Sequence, residues 1–328
     1  KAHQQIQGSK LRFFSILILI IVISFIGLRD PFGAFIYLGD TITYSNIYEY
    51  YKSGEGYNNL KDSGFYMFMS LCSNYLTISQ FYMLCSLLYV ILPYLAFKKW
   101  FKQNAFFALL LFAVSMSFWA YGVNGVRNGL ATSILIYSFS LNHRKLLMAL
   151  LMLVAISFHN SVLLPVLAYI ITFKFTNSKL LIRVWIFMVV FSFFYGNSIN
   201  QFVQDINSFI NFDSSERTRD LFASELDGRE ISRGYRLDFI IYSGVGIILG
   251  HTYIYIKGLK DMFYIRLFNT FIICNTIWLI LIYAAYSNRI AYLSWFIMPV
   301  VMIYPLLKYK MLKNQNRVIA YLIFGSLF

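Results

Sequence analysis

Arg127 lies in "FWAYGVNGVRNGLATSILIYSF", residues 118–139, beside asparagines and glycines and between apolar runs. A permanent charge in such a setting is costly, and by default it marks a functional position. Guanidinium presents forked, always-protonated donors that match phosphate or carboxylate. Two more arginines share this placement. Arg236 in "SRGYRLDF" and Arg289 in "YSNRIAYLSWFIMP" each head an apolar run. A cation at a helix N-terminus opposes the helix dipole by roughly a few tenths of a kcal/mol. Its threefold repetition predicts an anion-binding cavity facing outward. The competing readings are anchoring to lipid phosphates and ion pairing with Asp238 or the acidic loops.

Three titratable residues accompany these arginines. His159, in "ISFHNSVLLP", is expected at the same depth as Arg127. Its imidazole suits a proton acceptor or a donor to phosphate; the alternative is a histidine bonded to a backbone carbonyl. Asp40, in "YLGDTITYSNIYEYY", precedes Tyr44, Tyr48 and Tyr51. A carboxylate with an aromatic face suits sugar rings, and a membrane-surface helix explains the pattern equally well. Asp238 heads a span two residues beyond Arg236, placed to pair with an arginine or to act as a general base. The chain has no DxD, Walker A, GxSxG or HExxH motif. Cys72, Cys85 and Cys274 lie in apolar segments without ligand spacing. They read as packing residues, so neither a metal nor a disulfide framework is expected.

The elements that must position these residues are membrane helices. Of the 328 residues 59% are hydrophobic and 13% charged, and the mean hydropathy is +0.62. That balance lies outside the soluble range and points to an all-α polytopic membrane protein forming a single domain over 1–328. The formal charge of +14 does not indicate nucleic acid. Eighteen of 28 basic residues fall in short gaps between apolar runs, such as Lys98–Lys102, Lys174–Arg183 and Lys308–Arg317. By the positive-inside rule these gaps and the N-terminus are cytoplasmic. Twelve of 14 acids fall in two polar stretches, 30–62 and 198–235, expected on the outer side. The first apolar run follows Lys10 and Arg12, but no small-x-small cleavage site follows it, so a retained helix is expected.

About eleven spans are expected: 13–29, 80–97, 105–121, 127–142, 145–158, 161–173, 181–197, 236–256, 263–285, 290–307 and 318–328. Segment 64–78 is read as re-entrant or interfacial, because a crossing there would invert the charge pattern. The 145–158 and 161–173 runs are short for full spans, and form a hairpin or two half-helices around "FHNS". Span interiors hold few ionisable residues, which counts against an ion-coupled transporter.

Together these motifs resemble the EpsG-like branch of the Wzy family of polysaccharide repeat-unit polymerases. "VRNGLATSILIYSFSLNHRKLLMALLMLVAISFHNSVLLPVLAYII" is similar to the family's arginine motif, basic turn and Phe-His-x-Ser ending. It matches Arg127, His159 and Ser161, with Asn128 in place of the usual Gln. "GDTITYSNIY" maps Asp40 and Tyr44; "GYRLDF" and "NRIAYLSWFIMP" map Arg236, Asp238 and Arg289. The resemblance implies a GT-C-like glycosyltransferase of the bacterial cytoplasmic (inner) membrane. It would move a growing glycan from undecaprenyl pyrophosphate to a new lipid-linked repeat unit on the outer face. No cofactor is implied. Membrane lipids, a chain-length regulator and a flippase are the implied partners.

On that reading Arg127, Arg236 and Arg289 bind the pyrophosphate. His159, then Asp238, then Asp40 are candidates for the base. Tyr44, Asn124, Asn128, Ser161 and Tyr235 contact substrate, and loops 30–62 and 198–235 hold glycan. The alternatives are an O-antigen-ligase-like glycan transferase and a lipid-linked oligosaccharide flippase or transporter.

Overall fold

A computed structural model describes residues 2–33, 40–54, 61–210, 225–226, 229–230, 234–284 and 286–326. These residues are helical apart from an antiparallel pairing of Glu225–Leu226 with Arg229–Glu230. Six helical stretches among them are long and apolar enough to cross a membrane: Gly8–Gly27, Ile78–Ala113, Ser178–Ile199, Leu237–Ile256, Met262–Ile280 and Ser287–Lys308. The sequence reading counts more spans for two physical reasons. Runs 80–97 and 105–121 fall within the single stretch Ile78–Ala113 by composition, although the turn at Lys102–Asn104 divides them and they pass the helix Ala2–Gly27 in opposite directions, Met83 abutting Gly27 and Gln103 abutting Gly8. The segments Val126–Phe139 and Lys145–Phe158 are helices of 14 residues each. At 1.5 Å per residue such a helix covers about 21 Å of a hydrocarbon core about 30 Å thick.

The chain divides into two compact units, 1–166 with 303–328, and 167–302. In the first, α1 (Ala2–Gly27) packs along α4 (Ile78–Phe101), α4 along α6 (Val126–Phe139), and α6 along α7 (Lys145–Phe158). The short helices α2 (Thr41–Lys52) and α3 (Ser63–Ser73) pack on each other, and α5 (Ala105–Ala113) follows α4. α4 starts at a reciprocal cap in which Gln80 N–H donates to the Thr77 hydroxyl and Thr77 N–H to the Gln80 side chain. Its last turn carries Lys98 and Lys99, which complement the helix dipole.

Lipid is as apolar as leucine, so close packing rather than burial holds such helices together. Phe65, Phe81, Tyr82 and Tyr48 are fully buried in the first unit, and Phe65 contacts Tyr44, Tyr66, Phe81 and Phe158 edge-on. Two glycines permit close approaches in this unit. A Cβ on Gly129 of α6 would stand 2.8 Å from the Tyr121 carbonyl oxygen, and one on Gly64 of α3 would stand 2.8 Å from Ser157 Cβ on α7.

Between α5 and α6 the helical path breaks into a short turn, Met116–Trp119, and a wider π-type turn, Ala120–Asn124. Such a break frees backbone carbonyls, which must be satisfied locally. Arg29, just past the end of α1, does so. Its Nε donates to Ile26 O (2.9 Å), Nη1 to Val123 O (2.6 Å) and Nη2 to Gly122 O (2.5 Å). The start of α1 lies at the opposite end, where Gly8 abuts Gln103. Lys98–Lys102 thus share the end of this unit where α1 begins, and Arg29 marks the other.

In the second unit α8 (Ser178–Ile210), α9 (Leu237–His251), α10 (Met262–Ile280) and α11 (Ser287–Trp295) are cross-linked by buried polar groups. Asn275 accepts from Trp185 Nε1 (2.7 Å) and donates to Ser243 Oγ (2.9 Å) and Ser294 Oγ (3.0 Å); Trp295 Nε1 also donates to Ser243 Oγ (2.8 Å).

Candidate functional site

The site in the first unit is made from helix ends. Arg127 is the second residue of α6, directly after the irregular turn. Its side chain is 13% exposed and that of Asp62, with which it pairs, is fully buried. Asp62 occupies the left-handed backbone region at φ 55°, ψ 38°, immediately before α3. Only a few per cent of residues other than glycine adopt a positive φ, and Asp is among those that tolerate it best. Tyr44 and Tyr66 reach the same point from α2 and α3.

The guanidinium has five N–H donors. Nε donates to Tyr44 Oη (3.0 Å); Nη1 donates to Asp62 Oδ2 (3.0 Å) and to Tyr66 Oη (2.9 Å). The Tyr44 and Tyr66 ring centroids lie 5.2 and 5.5 Å from Cζ, within cation–π range. Three N–H groups are therefore committed, and no hydrogen bond among the described residues engages Nη2. The arrangement clamps one edge of the guanidinium and leaves the two donors of Nη2 unengaged among the described residues.

The helix α7 ends at His159, whose backbone is extended (φ −157°, ψ 115°), and a tight turn at Asn160–Val162 follows. Asp62 Oδ1 accepts the backbone N–H of Asn160 (2.9 Å), so a single carboxylate joins Arg127 to this turn. A second link runs from Ser161 Oγ to Asn128 Oδ1 (3.2 Å), on the residue after Arg127. His159 Nδ1 lies 2.6 Å from Ser161 Oγ and accepts the Ser161 backbone N–H (3.2 Å). Nδ1 of the ring is thus bonded within its own turn.

Of the residues singled out by sequence, Arg127, Tyr44, Asn128, His159 and Ser161 belong to this one hydrogen-bonded cluster. Asp62 and Tyr66 belong to it as well, and the sequence reading did not include them. Asp40 begins α2 and its carbonyl accepts Tyr44 N–H (3.1 Å); the acidic partner of Arg127 is Asp62. Asn124, at the end of the π-type turn, is exposed and lines a cavity of about 510 Å³ with Arg29, Phe25, Ile26, Trp119, Ala120 and Val123. Burial lowers the Arg29 pKa from its ordinary value, opposed by the neighbouring Tyr82. Its three donor nitrogens hold carbonyls, so Arg29 is a backbone clamp.

The second unit carries the other expected residues. Arg236 and Asp238 are exposed and form a bidentate pair at 3.0 and 2.7 Å, the ion-pairing alternative raised by the sequence. That hydrogen-bonded carboxylate raises the Arg236 pKa. Exposed Arg289 lies 4.7 Å from the Tyr286 ring centroid. Tyr235 Oη donates to Val189 O (2.7 Å) and its ring meets Phe193 edge-on. Much of the two polar stretches expected to hold glycan, at 34–39, 55–60, 211–224, 227–228 and 231–233, lies outside the described residues.

A helical, multi-span membrane protein with a clamped arginine beside a histidine turn is the class these observations define. The EpsG family model matches residues 11–328. The chain belongs to that family, the family of Wzy-type polysaccharide polymerases. Comparison with curated proteins and with solved structures gives no match.

Proposed function

We propose that this protein is a glycosyltransferase that polymerises undecaprenyl-pyrophosphate-linked oligosaccharide repeat units on the outer face of the bacterial cytoplasmic membrane. A GT-C-like architecture and a cytoplasmic N-terminus go with this reading, as do a chain-length regulator and a flippase as partners. The observation that carries it is Arg127, partly buried and fixed along one edge by Tyr44, Asp62 and Tyr66, with no hydrogen bond to Nη2 among the described residues.

The chemistry follows from the donor. A glycosyl pyrophosphate already contains its leaving group, and negative charge grows on the departing phosphate as the glycosidic bond breaks. Preorganised donors aimed at that charge lower the barrier, each by about 2.7–4 kcal/mol where one such donor has been removed from other enzymes. Arg127 Nη2 is proposed to supply one of them. Arg236 and Arg289 are proposed as further phosphate-binding arginines. The acceptor hydroxyl must lose a proton, and His159, then Asp238, then Asp40 are the proposed bases. Tyr44 and Asn128 orient the site, while Asn124 and Tyr235 are proposed to contact glycan.

The test is to supply purified protein in liposomes with one defined lipid-linked oligosaccharide. Products heavier by whole repeat units, with release of undecaprenyl pyrophosphate, are expected. Translocation of intact substrate without a new glycosidic bond would overturn the reading in favour of a flippase, and transfer only to an added non-glycan acceptor would favour a ligase.

A further inference from the structure

We propose that Asp62 is the positioning residue of this site, coupling the guanidinium of Arg127 to the His159 turn; the proposal rests on the polymerase reading above. The carboxylate is fully buried and its two oxygens have different tasks. Oδ2 accepts from Arg127 Nη1 at 3.0 Å, and Oδ1 accepts from the backbone N–H of Asn160 at 2.9 Å. A buried carboxylate with both oxygens engaged does not reach substrate, so Asp62 is not itself a base or nucleophile.

Its effect is geometric. Arg127 and Asn160 belong to α6 and to the turn after α7, which Ser161 Oγ also joins through Asn128 Oδ1. One planar carboxylate bonded directly to the guanidinium and to the turn holds the distance from the guanidinium to the imidazole one residue before Asn160. Gly64 permits this, since a side chain there would collide with Ser157 and hold α3 away from α7. The left-handed backbone of Asp62 aims the side chain between the two helices. A non-glycine residue in that region is locally strained, and such strain gathers where a side chain must point one way.

Two substitutions test the assignment. Asp62→Asn keeps the shape but offers a single acceptor oxygen, so Arg127 and Asn160 cannot both be served. Asp62→Glu keeps the charge and displaces the oxygens by about one bond length, a misplacement that costs on the order of 10²-fold in rate. Both variants should lower kcat by about 10-fold or more while the KM for the lipid-linked donor changes less than about threefold. Amide hydrogen exchange of the 158–162 segment should be faster in Asp62→Asn by about tenfold, as expected for a lost hydrogen bond.

The exchange measurement needs no catalysis. If the wild-type protein makes no polymer, the polymerase reading fails and exchange alone decides the coupling. Unchanged exchange in Asp62→Asn, or a folded Asp62→Glu with wild-type kcat, would overturn the proposal. If Asp62→Asn yields no folded protein, Asp62→Glu decides: full activity in it would reduce Asp62 to a counter-charge.

Discussion

At Arg127 a single side chain serves two purposes, and the division of its donors separates them. Nε and Nη1 hold the site together, and Nη2 makes no hydrogen bond among the described residues. The neighbouring His159 divides in the same way, with Nδ1 bonded within its own turn. If His159 acts by donating from Nε2, His159→Gln should retain a measurable fraction of polymerisation, because an amide also donates, whereas His159→Ala should lose about 10²-fold or more in kcat. Equal loss in both would indicate a base instead. Arg127 and His159 were legible in the sequence because each is a polar residue with no counterpart in its apolar run. Asp62 was not, because it is one acid among several in a polar stretch. Its partners lie 65 and 98 residues along the chain, and only the folded turns bring them together.

The elements are held by close approach and by carbonyl capture. Gly64→Ala should destabilise the protein by about 1–3 kcal/mol through overpacking against Ser157. Gly64→Ala with Ser157→Gly should recover part of that loss, read as melting temperature in detergent; equal melting of the single and double variants would contradict the packing. Arg29→Ala removes the donors to Ile26, Gly122 and Val123. Orphaned carbonyls in an apolar setting cost about 1–3 kcal/mol each. Arg29→Ala should therefore melt earlier than wild type, and an unchanged melting temperature would show that the clamp is dispensable. Helix existence was legible from apolar length. The breaks at Ala120–Asn124 and His159 were only partly so. The sequence marked glycine and "FHNS" there, but the Arg29 contacts that sustain the first break are tertiary.

Among the described residues, long apolar helices coexist with half-length ones, so hydropathy alone suggests about eleven crossings where length supports six. In the first unit the basic Lys98–Lys102 turn lies at the end where α1 begins, and the Arg29 and Gly122–Val123 contacts at the end where it stops. The charge pattern predicts that the basic end faces the cytoplasm. Single cysteines at Gln103 and at Asp30 should therefore be labelled by membrane-impermeant reagents from opposite sides of sealed vesicles. Labelling from one side would contradict the orientation.

The central claim is that Arg127 grips the leaving pyrophosphate through a fork and not merely through charge. The most direct measurement is the single-turnover rate of glycan transfer in Arg127→Lys, a variant that keeps the cation beside Asp62 but lacks the fork. The account predicts a loss of about 10²–10³-fold in rate in protein that remains folded and binds donor. A folded Arg127→Lys variant that transfers glycan at the wild-type rate would contradict it.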